Sequence, residues 1–160
     1  MRLYIKRSSS LPDWEAAVQL HIDGLSMFTF TEERFTEGPK RGTPRYSTVL
    51  VAPRSSFVIR GWHINNKQTD LFLVTEYAKS AVAGMKPTGK VGTISAAFQA
   101  AWDPKGKMPP DEPKRYYVKD DPGDATGRGD RIDQNFKEVR REVGLIRDNI
   151  VVRYTLEDKK

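Results

Sequence analysis

Three stretches of this chain sort their apolar residues at every second position, and a period of two is the spacing of a strand whose faces meet different surroundings. From Trp14 to Ile22 the alternation puts Trp14, Ala16, Val18, Leu20 and Ile22 on one face and Glu15, Ala17, Gln19 and His21 on the other. From Phe57 to Ile64 it sets Val58, Trp62 and Ile64 against Phe57, Ile59 and His63. From Val91 to Trp102 it aligns Ile94, Ala96, Phe98, Ala100 and Trp102. A helix, at about 3.6 residues per turn, would scatter each set around its axis. Met27 to Thr31, Tyr46 to Val51, Leu71 to Thr75 and Tyr116 to Val118 are shorter runs of β-branched and aromatic residues, and each predicts a further strand.

Turn chemistry separates these runs. Asp23-Gly24 and Asn65-Asn66 let the chain reverse, and Pro53 ends the run before it because proline cannot donate to a ladder. Three stretches read as long loops: 32–45, Asp103 to Pro113, and 119–131 with its glycines. Tyr77 to Met85 carries small residues and has room for one helical turn. The C-terminal part fits two readings. Ile132, Phe136, Val139, Val143, Ile146 and Ile150 recur at helical spacing, yet Gly144 interrupts them and Ile150 to Thr155 is strongly β-prone. In either case a strand closes the chain near 150–156. The expectation is a mainly β protein: an antiparallel β-sandwich of about seven or eight strands with long loops and at most one or two short helices.

The chain has 160 residues and no cysteine. That length fits one domain spanning 1–160 with a core able to sustain itself, and the missing thiols exclude disulfides, a Cys-based zinc site and a thiol nucleophile. No run is long and apolar enough for a membrane-spanning helix, and the start turns polar after Ile5, so no export signal is expected and the cytoplasm is the default compartment.

Charge is unevenly placed. Asp13, Glu15, Asp23, Glu32, Glu33 and Glu37 face a single base, Arg34, across residues 13–37. Residues 38–69 then hold Lys40, Arg41, Arg45, Arg54, Arg60 and Lys67 without an acid, and 77–102 add Lys79, Lys86 and Lys90. With a formal charge of +6, such a surface attracts an anionic ligand, an acidic partner protein or nucleic acid. The bases sit mostly in Gly/Pro-flanked connections and not among stacking aromatics, which argues against a dedicated nucleic-acid binder.

The order Ile22-Asp-Gly-Leu25, Pro53 followed by Ser56-Phe-Val-Ile-Arg-Gly-Trp62, then Phe72, Tyr77-Ala78 and Val91-Gly-Thr-Ile94 resembles a domain of uncharacterised bacterial proteins. Ala125-Thr-Gly-Arg-Gly129 and the closing Val152-Arg-Tyr154 are similar to that domain's later part. The resemblance implies a β-rich fold and favours strands over 136–143 and 150–156. It implies no activity and transfers no catalytic residue.

Motifs for chemistry are few. Gly84 to Lys90 nearly spells a phosphate-binding loop, but Val91 lacks the hydroxyl for Mg²⁺ and the strand pattern that follows is the wrong context. His21 and His63 have no partner at metal-ligand spacing; on the outward face of its strand His63 reads as surface, with Asn65 and Asn66 nearby as a polar cluster. Asp120, Asp121, Asp124 and Asp130 offer oxygen ligands, yet not at EF-hand spacing and with Arg128 and Arg131 among them. Trp14, Trp62 and Trp102 lie on apolar strand faces and read as core. No G-x-S-x-G elbow is present. The sequence therefore predicts a non-enzymatic binding or interaction module, without cofactor or metal, whose basic surface uses Lys40, Arg41, Arg45, Lys86, Lys90, Arg128 and Arg131 toward an unknown protein or anionic ligand. A nucleic-acid-binding β domain, and a hydrolase with carboxylates in the 120–131 loop, stand as alternatives.

Overall fold

The computed structural model describes residues 2–6, 14–74, 92–112 and 127–154. The strongest alternation gives its central pair of strands. β2 (Glu15–Ile22) lies antiparallel to β8 (Thr93–Trp102), with Val18 opposite Phe98 and Leu20 opposite Ala96. Asp23 and Gly24 both take positive φ (49° and 83°), the conformation a two-residue hairpin needs, and return the chain into the short β3 (Leu25–Ser26). β4 (Val49–Val51) pairs with β2 through Val18–Val49 and Ala16–Val51, and β10 (Glu142–Arg153) flanks β8 at the other side. These five strands form one sheet. A second sheet has the order β6 (Gly61–Asn65), β7 (Gln68–Leu73), β9 (Gly127–Asp133), and β1 (Leu3–Lys6) pairs with β5 (Ser56–Ile59). Every pairing is antiparallel, and no helix occurs among the described residues.

The two larger sheets share one core. Leu20, Ile22 and Val49 from the first pack with Trp62 and Phe72 from the second, and Ile59, Met27 and Phe28 fill the space between. Trp62 stands edge-on to both Phe30 and Phe72, at 5.2 Å in each case. Trp62 is fully buried, whereas Trp14 and Trp102 are half-buried.

Several expectations need correction. Met27 to Thr31 is a chain of turns and not a strand: Thr29 N–H bonds Ser26 O and Thr31 N–H bonds Phe28 O, and the adjacent Met27 and Phe28 both enter the core, which alternation forbids. The run from Phe57 to Ile64 breaks at Arg60, where the chain leaves β5 and enters the second sheet. Gly61 permits this, because a Cβ there would collide with the Asp70 carbonyl oxygen. The loop expected over 119–131 contains most of β9, so Arg128 and Arg131 stand on a strand. The C-terminal helix does not form, and neither does a ladder over 134–141. That segment runs without regular structure, anchored by Gln134 N–H to Lys67 O and Phe136 N–H to Asn66 O, before β10 begins. Gly144 interrupts the helical pattern for a local reason: the Glu112 carboxylate occupies the place of its side chain, accepts the Leu145 N–H and pairs with Arg147. Tyr77 to Met85, Tyr116 to Val118 and the near phosphate loop at Gly84 to Lys90 lie outside the described residues.

Candidate functional site

Between β4 and the irregular 134–141 segment lies a half-open cleft of about 510 Å³, within the size range of small-ligand sites. Its floor is aromatic. Phe28, Tyr46, Phe57, His63 and Phe136 line it, and the His63 ring lies 5.2 Å from Phe28, 5.6 Å from Tyr46 and 4.9 Å from Phe136. Each comes from a different place: the turns after β3, the chain entering β4, β5, β6 and the segment before β10.

His63 is 1% exposed, which corrects its reading as a surface residue. Its strand is covered on both faces, by the core at Trp62 and Ile64 and by the aromatic floor at His63 itself. Nδ1 lies 3.0 Å from Thr31 Oγ1, and Nε2 lies 3.3 Å from Asn66 Oδ1. Burial disfavours the imidazolium and lowers its pKa, against the weaker opposite pull of Asn66 and Glu33. Asn66 Oδ1 can only accept, so the neutral ring carries its proton on Nε2 and leaves Nδ1 to accept from the Thr31 hydroxyl, whose oxygen also lies 3.1 Å from the Ile64 carbonyl oxygen.

From there the donors run outward in one direction. His63 donates to Asn66, Asn66 Nδ2 donates to Tyr46 Oη at 3.3 Å, and Tyr46 donates to Glu138 Oε2 at 3.0 Å. Arg45 closes the rim through Glu138 Oε1 at 3.2 Å and Glu33 at 4.0 Å. Burial raises the Tyr46 pKa, so the phenol keeps its proton for this role. At the far end of the cleft Arg141 pairs with Glu15 through two hydrogen bonds. The result is a cleft with ring faces below, hydrogen-bonding groups fixed along one edge, and rim charges that include the Arg45–Glu138 and Arg141–Glu15 pairs and Lys137.

Five of the basic residues expected to bind fall among the described residues. Arg45 is on the cleft rim beside Glu33. Arg128 lies over the Phe30 ring at 4.9 Å and, with Arg131, grips the carboxylate of Asp70, which is only 5% exposed. Burial pushes that carboxyl up, but the hydrogen bonds from Arg131 and Arg128 outweigh it and hold it below its ordinary value. Lys40 and Arg41 occupy an exposed turn whose Gly42 carbonyl accepts Arg34 Nη1, and no carboxylate pairs with either base among the described residues. Lys86, Lys90, Asp120, Asp121 and Asp124 lie outside the described residues, and Asp130 is exposed on β9. No group of three or more metal-ligating side chains is gathered among the described residues.

Sequence reasoning noticed His63 and Asn66 as neighbours in a polar cluster but missed Tyr46, Phe136 and Glu138, which reach the site only through tertiary structure. Comparison with protein-family models, with curated proteins and with solved structures finds no match.

Proposed function

We propose that this protein is a non-enzymatic binding module whose ligand sits in the aromatic cleft. The carrying observation is the one-way chain of donors from Thr31 to Glu138, which fixes Asn66, Tyr46 and Glu138 along the edge of a ring-lined floor before any ligand arrives. Such preorganisation lowers the cost of binding. The ligand class that fits is small and uncharged overall, with an apolar ring face toward Phe57 and Phe136 and a hydroxyl or amide toward Glu138. A formal charge on it would compete with the balanced Arg45–Glu138 and Arg141–Glu15 pairs.

Titration with a panel of ring-bearing fragments, followed by amide chemical shifts, tests this. Shifts confined to the cleft, with affinity reduced about tenfold or more in Phe136→Ala and Tyr46→Ala (~1.4 kcal/mol per decade), support it. Fragments that bind equally well to both variants place the ligand elsewhere and sink the reading.

A second reading is favoured by the placement of the described bases. Lys40 and Arg41 stand in the turn whose Gly42 carbonyl accepts Arg34 Nη1, Arg45 N–H bonds Glu33 O, and Arg128 lies over Phe30 and shares Asp70 with Arg131; an anionic partner spanning them would bind with strong salt dependence. Its affinity is expected to fall as salt rises, and salt-independent binding discards it.

A further inference from the structure

β10 is the outermost strand of the five-stranded sheet, and among the described residues no strand pairs with its outer edge. From Ile146 to Arg153 every residue is exposed, including Ile150 at 51%, Val151 at 62% and Val152 at 50%. The backbone parity of this edge can be read off. Tyr154 N–H donates to Gly92 O, and the register with β8 continues without a shift from Arg153–Thr93 to Asp148–Phe98. In an antiparallel ladder bonded pairs alternate with non-bonded ones, so Asp148, Ile150 and Val152 bond β8 while Asn149, Val151 and Arg153 turn their N–H and C=O groups outward. The Asn149 N–H confirms the parity, for it is taken up by the neighbouring Asp148 Oδ1 at 2.8 Å.

Proteins commonly protect such an edge with charges, proline or bulges. The first half of β10 has those devices: register shifts between Val143 and Asp148, then Arg147 and Asp148. The stretch Ile150-Val151-Val152 has none, since it is apolar on both faces and unbulged.

We infer that this edge pairs with the same edge of a second copy of the chain, antiparallel about a two-fold axis through Val151. In that register Val151 faces its own counterpart, Ile150 faces Val152 of the second copy, and Asn149 faces Arg153, whose guanidinium suits the amide oxygen. The neighbouring two-fold registers are worse. An axis through Ile150 sets Arg147 opposite Arg153, one through Val152 sets Val151 opposite Arg153, and one through Asn149 sets Arg147 and Asp148 opposite apolar residues. Self-complementarity of this kind selects a second copy over an unrelated strand. It joins two five-stranded sheets into one continuous sheet and closes as a dimer, because each copy spends the same edge. The contact is small, so the dimer dissociates on dilution.

Sedimentation of the full chain tests this. The wild type is expected to pass from 18.2 kDa toward twice that mass as concentration rises. Val151→Pro deletes an outward N–H and no β8 hydrogen bond, and is expected to stay monomeric with an unchanged circular dichroism spectrum. Should proline disturb folding, Val151→Lys leaves the β8 ladder intact and is read in the same way. Because the chain has no cysteine, Val151→Cys under mild oxidation is expected to give a covalent dimer several times faster than Arg41→Cys. A wild type monomeric at every concentration, a dimer that survives both Val151 substitutions, an open-ended polymer, or equal cross-linking at the two cysteines each overturns the inference.

Discussion

At the scale of single residues, His63 ties the core to the cleft, and its burial gives the protein a defined acid sensitivity. Burial depresses its folded pKa below the ordinary 6.5, so near and below that pH the unfolded chain binds a proton that the folded one refuses. Stability is therefore full above about pH 7 and declines as pH falls through 6.5 toward the folded pKa. Asp70 acts in a lower window. Its folded pKa lies under 3.8, so its contribution is present above that value and is lost only below it. The difference between wild-type and His63→Gln denaturation curves isolates the histidine: its slope with pH is expected as pH falls below 6.5 and absent above 7. A difference that does not vary with pH across that range would mean the imidazole is solvated.

At the scale of elements, the junction between β5 and β6 depends on one missing side chain. Gly61 lies against the Asp70 carbonyl oxygen in the neighbouring strand, and backbone cannot yield as a flexible side chain would. Gly61→Ala is expected to destabilise by about 2–3 kcal/mol, measured by chemical denaturation, through overpacking. Loss under about 0.5 kcal/mol, the ordinary range for a harmless surface change, would contradict that geometry. Which elements were legible follows from how each is held. β2 and β8 were readable because each buries an apolar face, so their alternation is written in Val18, Leu20, Ile94 and Ala96. β9 was not, because Gly127-Arg-Gly-Asp-Arg-Ile-Asp133 has one apolar residue and is fastened by Arg128 and Arg131 on Asp70. Ion pairs of that kind leave no period in a sequence. The turns at Met27 and Phe28 hid for the opposite reason, since two successive core residues mimic a strand by composition. The cleft was legible only where its parts lie close in the chain: His63 and Asn66 stood out together, whereas Tyr46 and Glu138 are joined by a contact across 92 residues.

At the scale of the whole molecule, Trp62 is where the two sheets meet. It is wholly buried, touches Phe30 and Phe72 edge-on, and packs in the same cluster as Leu20 and Ile22 of the opposite sheet. Trp62→Ala is expected to cost about 3–5 kcal/mol, and the signals of both sheets should then melt together at a lower temperature. Separate transitions for the two sheets would show that they do not share one core. The passage from β9 to β10 crosses between the same layers, and residues 135–139 of that passage form one wall of the cleft. That crossing strap has a mechanical consequence. A guest lodged against it touches both layers at once, so its hold depends on how firmly the strap and the layers keep their spacing. Residence time is then governed by the stiffness of the protein's own seam as much as by the contacts the guest makes.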